Sequence, residues 1–253
     1  MRPRLRSRGA GRDRRLFLLR FVAASVLAKS VKTLNAVVVL CDQGWTADAV
    51  VLLRSLFEAC VTVAFLCKHK IWGTYLYLEE DMRGCEKSAR EMRELGKDAG
   101  SVVAGGSAVE QELEERTREA RALLKAVYGG PPKAAAMLWT KKGRRRRWKD
   151  WTVRDRCEAV GLSSLYLALY RWASCEGRAG VESLRWHSKE SASGPVFQAV
   201  PTDENLVLYL RASVVCFLGV LSGFDDAFKL GCKTRIRKAM SKEVRSFTGR
   251  GHP

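Results

Sequence analysis

Arg54 and Glu58 stand four residues apart in TADAVVLLRSLFEACVTVAFLCKH, residues 46–69, a stretch that is otherwise almost wholly apolar. On a helix that spacing brings the two side chains together, and a helix apolar on every side belongs inside a bundle. A guanidinium and a carboxylate carried into an interior need partners, because an isolated buried ion is very costly. Those partners are expected on LYLALYRWAS, residues 165–174, where Tyr166, Tyr170 and Ser174 fall at i, i+4 and i+8 on one helix face. Tyr170 and Ser174 can donate to Glu58 while their apolar parts stay in the core. His187, in SLRWHSKE after a glycine-containing loop, is the remaining proton carrier near this set in sequence. Two readings stand side by side. Arg54 and Glu58 are a buried pair that fixes helix packing, or they form a hydrolytic centre with Tyr170 and Ser174 in which His187 is general acid or base.

A second cluster suits anionic partners. Lys141, Lys142, Arg144, Arg145, Arg146, Arg147 and Lys149 sit with Trp148 between Trp139 and Trp151. Arginines neutralise phosphate and indoles stack on bases, so this segment is a nucleic-acid-binding expectation for RNA or DNA. The plainer reading is a solvated basic loop whose tryptophans fold back onto the bundle.

Charge is distributed very unevenly over the 253 residues. Residues 1–15 carry +6, residues 141–149 carry +7 and residues 229–250 carry +7, so the rest of the chain stands at −2 against a total of +18. The body is therefore near neutral, with basic appendages. None of the eight cysteines forms a CxxC pair and only three histidines occur, so no metal site and no cofactor is expected. The cysteines read as small core residues of a reducing compartment. No phosphate-binding glycine loop and no nucleophile elbow is present.

The elements that must hold Arg54 and Glu58 are helical. A first helix is expected from Arg14 to Leu40, packing through Phe17, Phe21, Ala24, Leu27, Val31, Leu34 and Val38. Asp42-Gln43-Gly44 breaks it, and the central helix then runs antiparallel to it from Thr46. Ile71-Trp72-Gly73 turns the chain into an outer helix to about Lys97. Ser107 and Glu110 form a capping box for a polar helix to Tyr128. Short helices follow Thr152 and Ser163, residues 176–201 read as loop, and an apolar helix covers residues 205–224. The fold class is all-α: a bundle of six or seven helices over residues 14–228, with basic, partly disordered segments at 1–13 and 229–253. The last apolar helix is nearly long enough to span a bilayer, but a bundle core needs it, so a membrane is not the expected partner. The expected location is cytoplasmic. Arg14-Arg15-Leu16-Phe17-Leu18 resembles a twin-arginine export signal, and export stays as the lesser alternative.

LLRSLFEA, residues 52–59, preceded by Gly44, resembles the central helix of a family of uncharacterised, mostly bacterial, all-helical proteins. That family pairs an Arg-x-x-x-Glu helix with a later Tyr-x-x-x-Ser motif followed closely by histidine. Here the second motif reads Tyr170 to Ser174, Arg178 stands where the histidine belongs, and the first histidine is His187. The resemblance implies a fold and not an activity. Three functions follow as expectations: a nucleic-acid-associated protein of stress or phage defence, a ribonuclease or other hydrolase, or a scaffold.

Overall fold

A computed structural model describes residues 10–98, 106–132, 147–170, 173–174, 188–191, 194–197 and 206–247. Seven α-helices dominate the described residues: α1 (Ala10–Asp42), α2 (Thr46–Asp98), α3 (Gly106–Tyr128), α4 (Val153–Val160), α5 (Ser163–Leu165), α6 (Leu206–Phe228) and α7 (Lys233–Phe247). A 3-10 turn covers Trp148–Asp150, and α5 continues as a π turn, Tyr166–Tyr170. The expected all-α class is what the chain adopts.

Glycine sets two of the turns. After α1 the Gly44 backbone has φ 78°, its N–H donates to the Cys41 carbonyl at 3.1 Å, and the Trp45 N–H reaches the Leu40 carbonyl at 2.8 Å. Gly161 repeats the arrangement after α4, with φ 79° and the Leu162 N–H donating to the Cys157 carbonyl at 2.8 Å. Both are left-handed helix stops that satisfy otherwise orphaned carbonyls.

The chain divides into two compact units, one taking in Met1–Leu19 and His69–Thr152, the other Arg20–Lys68 and Val153–Pro253. The break in α2 falls at Lys70, whose φ of 42° and ψ of −109° interrupt the helix one residue before the expected Ile71-Trp72-Gly73 turn.

In the first unit, Arg15 donates from Nε to the Val127 carbonyl at 3.3 Å and lies over the Tyr128 ring. Tyr75 meets Tyr128 edge-on, with ring centroids 5.2 Å apart. Arg93 bridges to Glu110 at 2.7 Å and also to Glu114, and Arg121 pairs with Glu86, so the second half of α2 is laced to α3 by charge. Glu110, expected in a capping box, serves in one of these ion pairs.

The second unit holds the apolar core. Val37 and Cys41 of α1 meet Val50, Leu53, Leu56, Phe57 and Val61 of α2, and this surface is covered by Cys157, Leu169 and the α6 residues Tyr209, Ala212 and Cys216. Further along, Cys60 and Val63 pack on Val220. α6 approaches α2 closely because Gly219 and Gly223 lack side chains. A Cβ at Gly219 would meet the Cys60 Sγ, and one at Gly223 would meet the Val63 Cγ1. The Cys67 thiol donates to the Gly223 carbonyl at 3.1 Å.

Three expectations are corrected. The α1 stripe drawn through Phe17, Phe21, Val31 and Val38 is exposed, and Leu18, Leu19, Val22, Ala23, Val37 and Cys41 are buried instead. Apolar residues are spread round α1, so their periodicity cannot choose a face. Within the stretch read as loop, Ser188–Ser191 pairs antiparallel with Gly194–Phe197, Lys189 opposite Val196. The basic C-terminal segment contains α7, in which Ile236 and Met240 recur at helical spacing and are half-buried. Residues 1–9 and 248–253 lie outside the described residues.

Gly223→Ala should destabilise the protein by about 1–3 kcal/mol, because the stiff β-branched Val63 cannot swing away. Gly219→Ala should cost less, since a thiol can rotate. Thermal unfolding of both variants, with Val63→Ala added to Gly223→Ala as the expected rescue, checks this.

Candidate functional site

The polar turn of α2 meets the π turn of α5 within the second unit. Arg54 donates from Nε to Glu58 Oε1 at 3.2 Å, and from Nη2 to the Tyr170 hydroxyl at 3.2 Å. The Tyr170 hydroxyl in turn donates to the same Glu58 Oε1 at 2.9 Å. One carboxylate oxygen therefore accepts from two groups that are themselves hydrogen-bonded. The Tyr170 ring is fixed from both sides, 5.4 Å from the Phe57 ring centroid and stacked 5.3 Å from Tyr166. The Arg54 guanidinium also lies over that ring, 5.3 Å from its centroid. A π turn widens the helix by one residue per turn and is common at functional positions. Here it carries both stacked tyrosines.

The expected burial of the ion pair is corrected. The side chains of Arg54 and Glu58 are 33 % and 40 % exposed, because Val51 and Ser55 on the same side of α2 face outward. The pair borders the core rather than lying inside it. Two of the five Arg54 N–H donors are engaged, which leaves three with no protein partner among the described residues.

The protonation states follow from the contacts. Burial, and then the hydrogen bond to Glu58, push the Tyr170 phenol above its usual range. Tyr170 is thus a neutral donor at physiological pH and not a phenolate nucleophile. For Arg54, burial works against the charge, but Tyr170 and Glu58 outweigh it and hold the guanidinium charged.

Ser174 stands four residues after Tyr170 in sequence. Its Oγ is buried and has no hydrogen-bond partner among the described residues. His187 lies outside the described residues, so its place relative to Arg54 and Glu58 is not part of the geometry.

Of the basic segment, Lys141, Lys142, Arg144, Arg145 and Arg146 also lie outside the described residues. Arg147 accompanies Asp150, whose carboxylate accepts from the Arg147 backbone N–H at 2.8 Å. Lys149 is exposed. Trp148 is only 9 % exposed and meets Tyr77 edge-on at 5.2 Å, and Trp151 packs near Trp72. The expected stacking platform on Trp148 is thereby corrected, because so deeply buried an indole is not open to a base.

Sequence reasoning missed the π turn, for which no residue pattern is a reliable signal. It also missed the spare donors of Arg54, which depend on how far the bundle covers α2.

A family model described as a family of unknown function (DUF5677) matches residues 20–177, more than half of the chain. The chain belongs to that family. Neither a curated protein nor a solved structure matches it.

Tyr170→Phe keeps the ring contacts and removes the shared hydroxyl. It should lower stability by about 0.5–1.5 kcal/mol in denaturant unfolding, as expected for one lost hydrogen bond. Because the folded phenol titrates above its unfolded value, that contribution should be fully present below about pH 10 and fade as pH rises through the raised value. Burial raises the Cys60 thiol to about 12 and the Cys157 thiol to about 11. A thiol reagent should therefore label the half-exposed Cys67, Cys85 and Cys232 before Cys60 and Cys157, which should react only as the chain opens.

Proposed function

We propose that this DUF5677 member associates with nucleic acid and that Arg54 holds a backbone phosphate. The observation that carries this reading is a guanidinium fixed by Glu58 and Tyr170 that keeps three donors unengaged among the described residues and stays one-third exposed. A prepositioned arginine loses little freedom when it binds, and its planar fork matches two phosphate oxygens. The stacked Tyr166 and Tyr170 rings lie beside it as aromatic neighbours. The charge of +18, gathered in three segments, supplies long-range attraction for a polyanion. This reading does not depend on Trp148.

A second reading, hydrolysis of a phosphodiester or related ester, is favoured by the buried Ser174 Oγ, four residues after Tyr170 in sequence and with no hydrogen-bond partner among the described residues. In that reading Arg54 binds the anion, Tyr170 is a proton donor and Glu58 accepts. A scaffold role would need neither the spare donors nor the exposure.

Binding of a mixed oligonucleotide pool at low and moderate salt tests the first reading. Affinity should fall with salt, and Arg54→Gln should weaken it about tenfold with melting close to the wild type. Unchanged affinity in Arg54→Gln, or no salt dependence, would overturn it. Turnover of labelled RNA that disappears in Glu58→Gln and Ser174→Ala would establish the second reading instead. An Arg54→Ala protein that cannot fold at all would assign the cluster to structure.

A further inference from the structure

α1 is apolar on more sides than the fold covers. Within the second unit Val22, Ala23, Ser30, Val37 and Cys41 face the core. Around the helix from them lie Phe21, Ala24, Ala28, Val31, Val38 and Val39, which about 100° per residue gathers into one sector interrupted by Asn35 and bordered at its start by Arg20, whose side chain turns to the Ala227 carbonyl. Phe21 is 60 % and Val39 54 % exposed. Among the described residues three helices are long and apolar enough to cross a membrane, in Asp13–Asp42, Thr46–Glu94 and Leu206–Phe228. In the second and third, 56 % and 44 % of the apolar window is buried; in the first, only 17 % is. A contiguous apolar face of this length marks an interaction surface.

Charge selects the occupant. α1 carries six basic residues against Asp13 and Asp42, and four more arginines precede it. A second copy of the chain would set these cations against their own kind. A nucleic acid would neutralise them but leave the phenyl and aliphatic groups in water. An anionic lipid surface answers both features, since headgroups neutralise the cations and the acyl boundary receives the apolar sector. We propose that α1 lies in the plane of an anionic bilayer surface, with Phe21, Val31 and Val39 entering the acyl boundary. Lys32, at the margin of that sector, and Lys29, further round the helix, are both exposed and long enough to reach headgroups. In a transverse orientation the same two lysines would sit near the bilayer centre, where an ammonium is expensive. Trp45, exposed at the turn after α1, suits the headgroup level. This departs from the sequence expectation, which weighed only the last apolar helix as a membrane element.

The test is flotation of the full chain with phosphatidylcholine vesicles, with and without phosphatidylserine. The chain should float with the anionic vesicles only, and high salt should release most of it. Phe21→Ser, Val31→Ser and Val39→Ser combined should lower the bound fraction about tenfold or more. These positions are exposed, so melting should match the wild type; Lys29→Glu with Lys32→Glu is the second arm, with the same loss expected. Absence of flotation, or equal flotation of the apolar variant, would overturn the proposal. So would self-association that the apolar variant disperses without any vesicle binding, or retention after alkaline carbonate, which would indicate a span.

Discussion

A charged turn in the middle of an apolar helix has to be answered, and here a single phenol does so. The Tyr170 hydroxyl accepts from Arg54 and donates to Glu58, closing a ring of three hydrogen bonds around one carboxylate oxygen. Without it, the guanidinium and carboxylate would face each other at the rim of the core in the weaker i, i+4 order. With it, α5 is tied to α2 at a defined register, and Phe57 and Tyr166 hold the phenol in place. The core behind that rim can then be built mainly from apolar side chains.

Close helix contact makes the arrangement rigid from the other side. Gly219 and Gly223 let α6 press against Cys60 and Val63, one to three turns along α2 from the polar turn. α2 is thus held between a polar clasp and an apolar clasp. The cost of such dense packing falls on the outside, since helices committed to α2 do not cover α1 as well. Its outer sector is left apolar and exposed.

Part of this was legible in the residues. The Arg54–Glu58 spacing, the Tyr170 partner and the stops at Gly44 and Gly161 follow from helical geometry and turn chemistry, and the structure has them. The degree of burial was not legible. An apolar surround suggested an enclosed pair, but whether Val51 and Ser55 are covered depends on where other helices run. The same limit applies to α1, whose apolar residues are spread round the helix and offer no single stripe from which to choose the inner face. The hairpin of Ser188–Ser191 and Gly194–Phe197 lacks an alternating pattern and contains Pro195, so nothing local announced it.

The claim on which the rest turns is that Arg54 and Tyr170 act together rather than as separate surface groups. A double-mutant cycle on unfolding free energy, with Arg54→Ala, Tyr170→Phe and the pair, measures this directly. The account predicts a coupling of about 0.5–1 kcal/mol, appropriate to a half-exposed charged network. Additive effects of the two substitutions would contradict it.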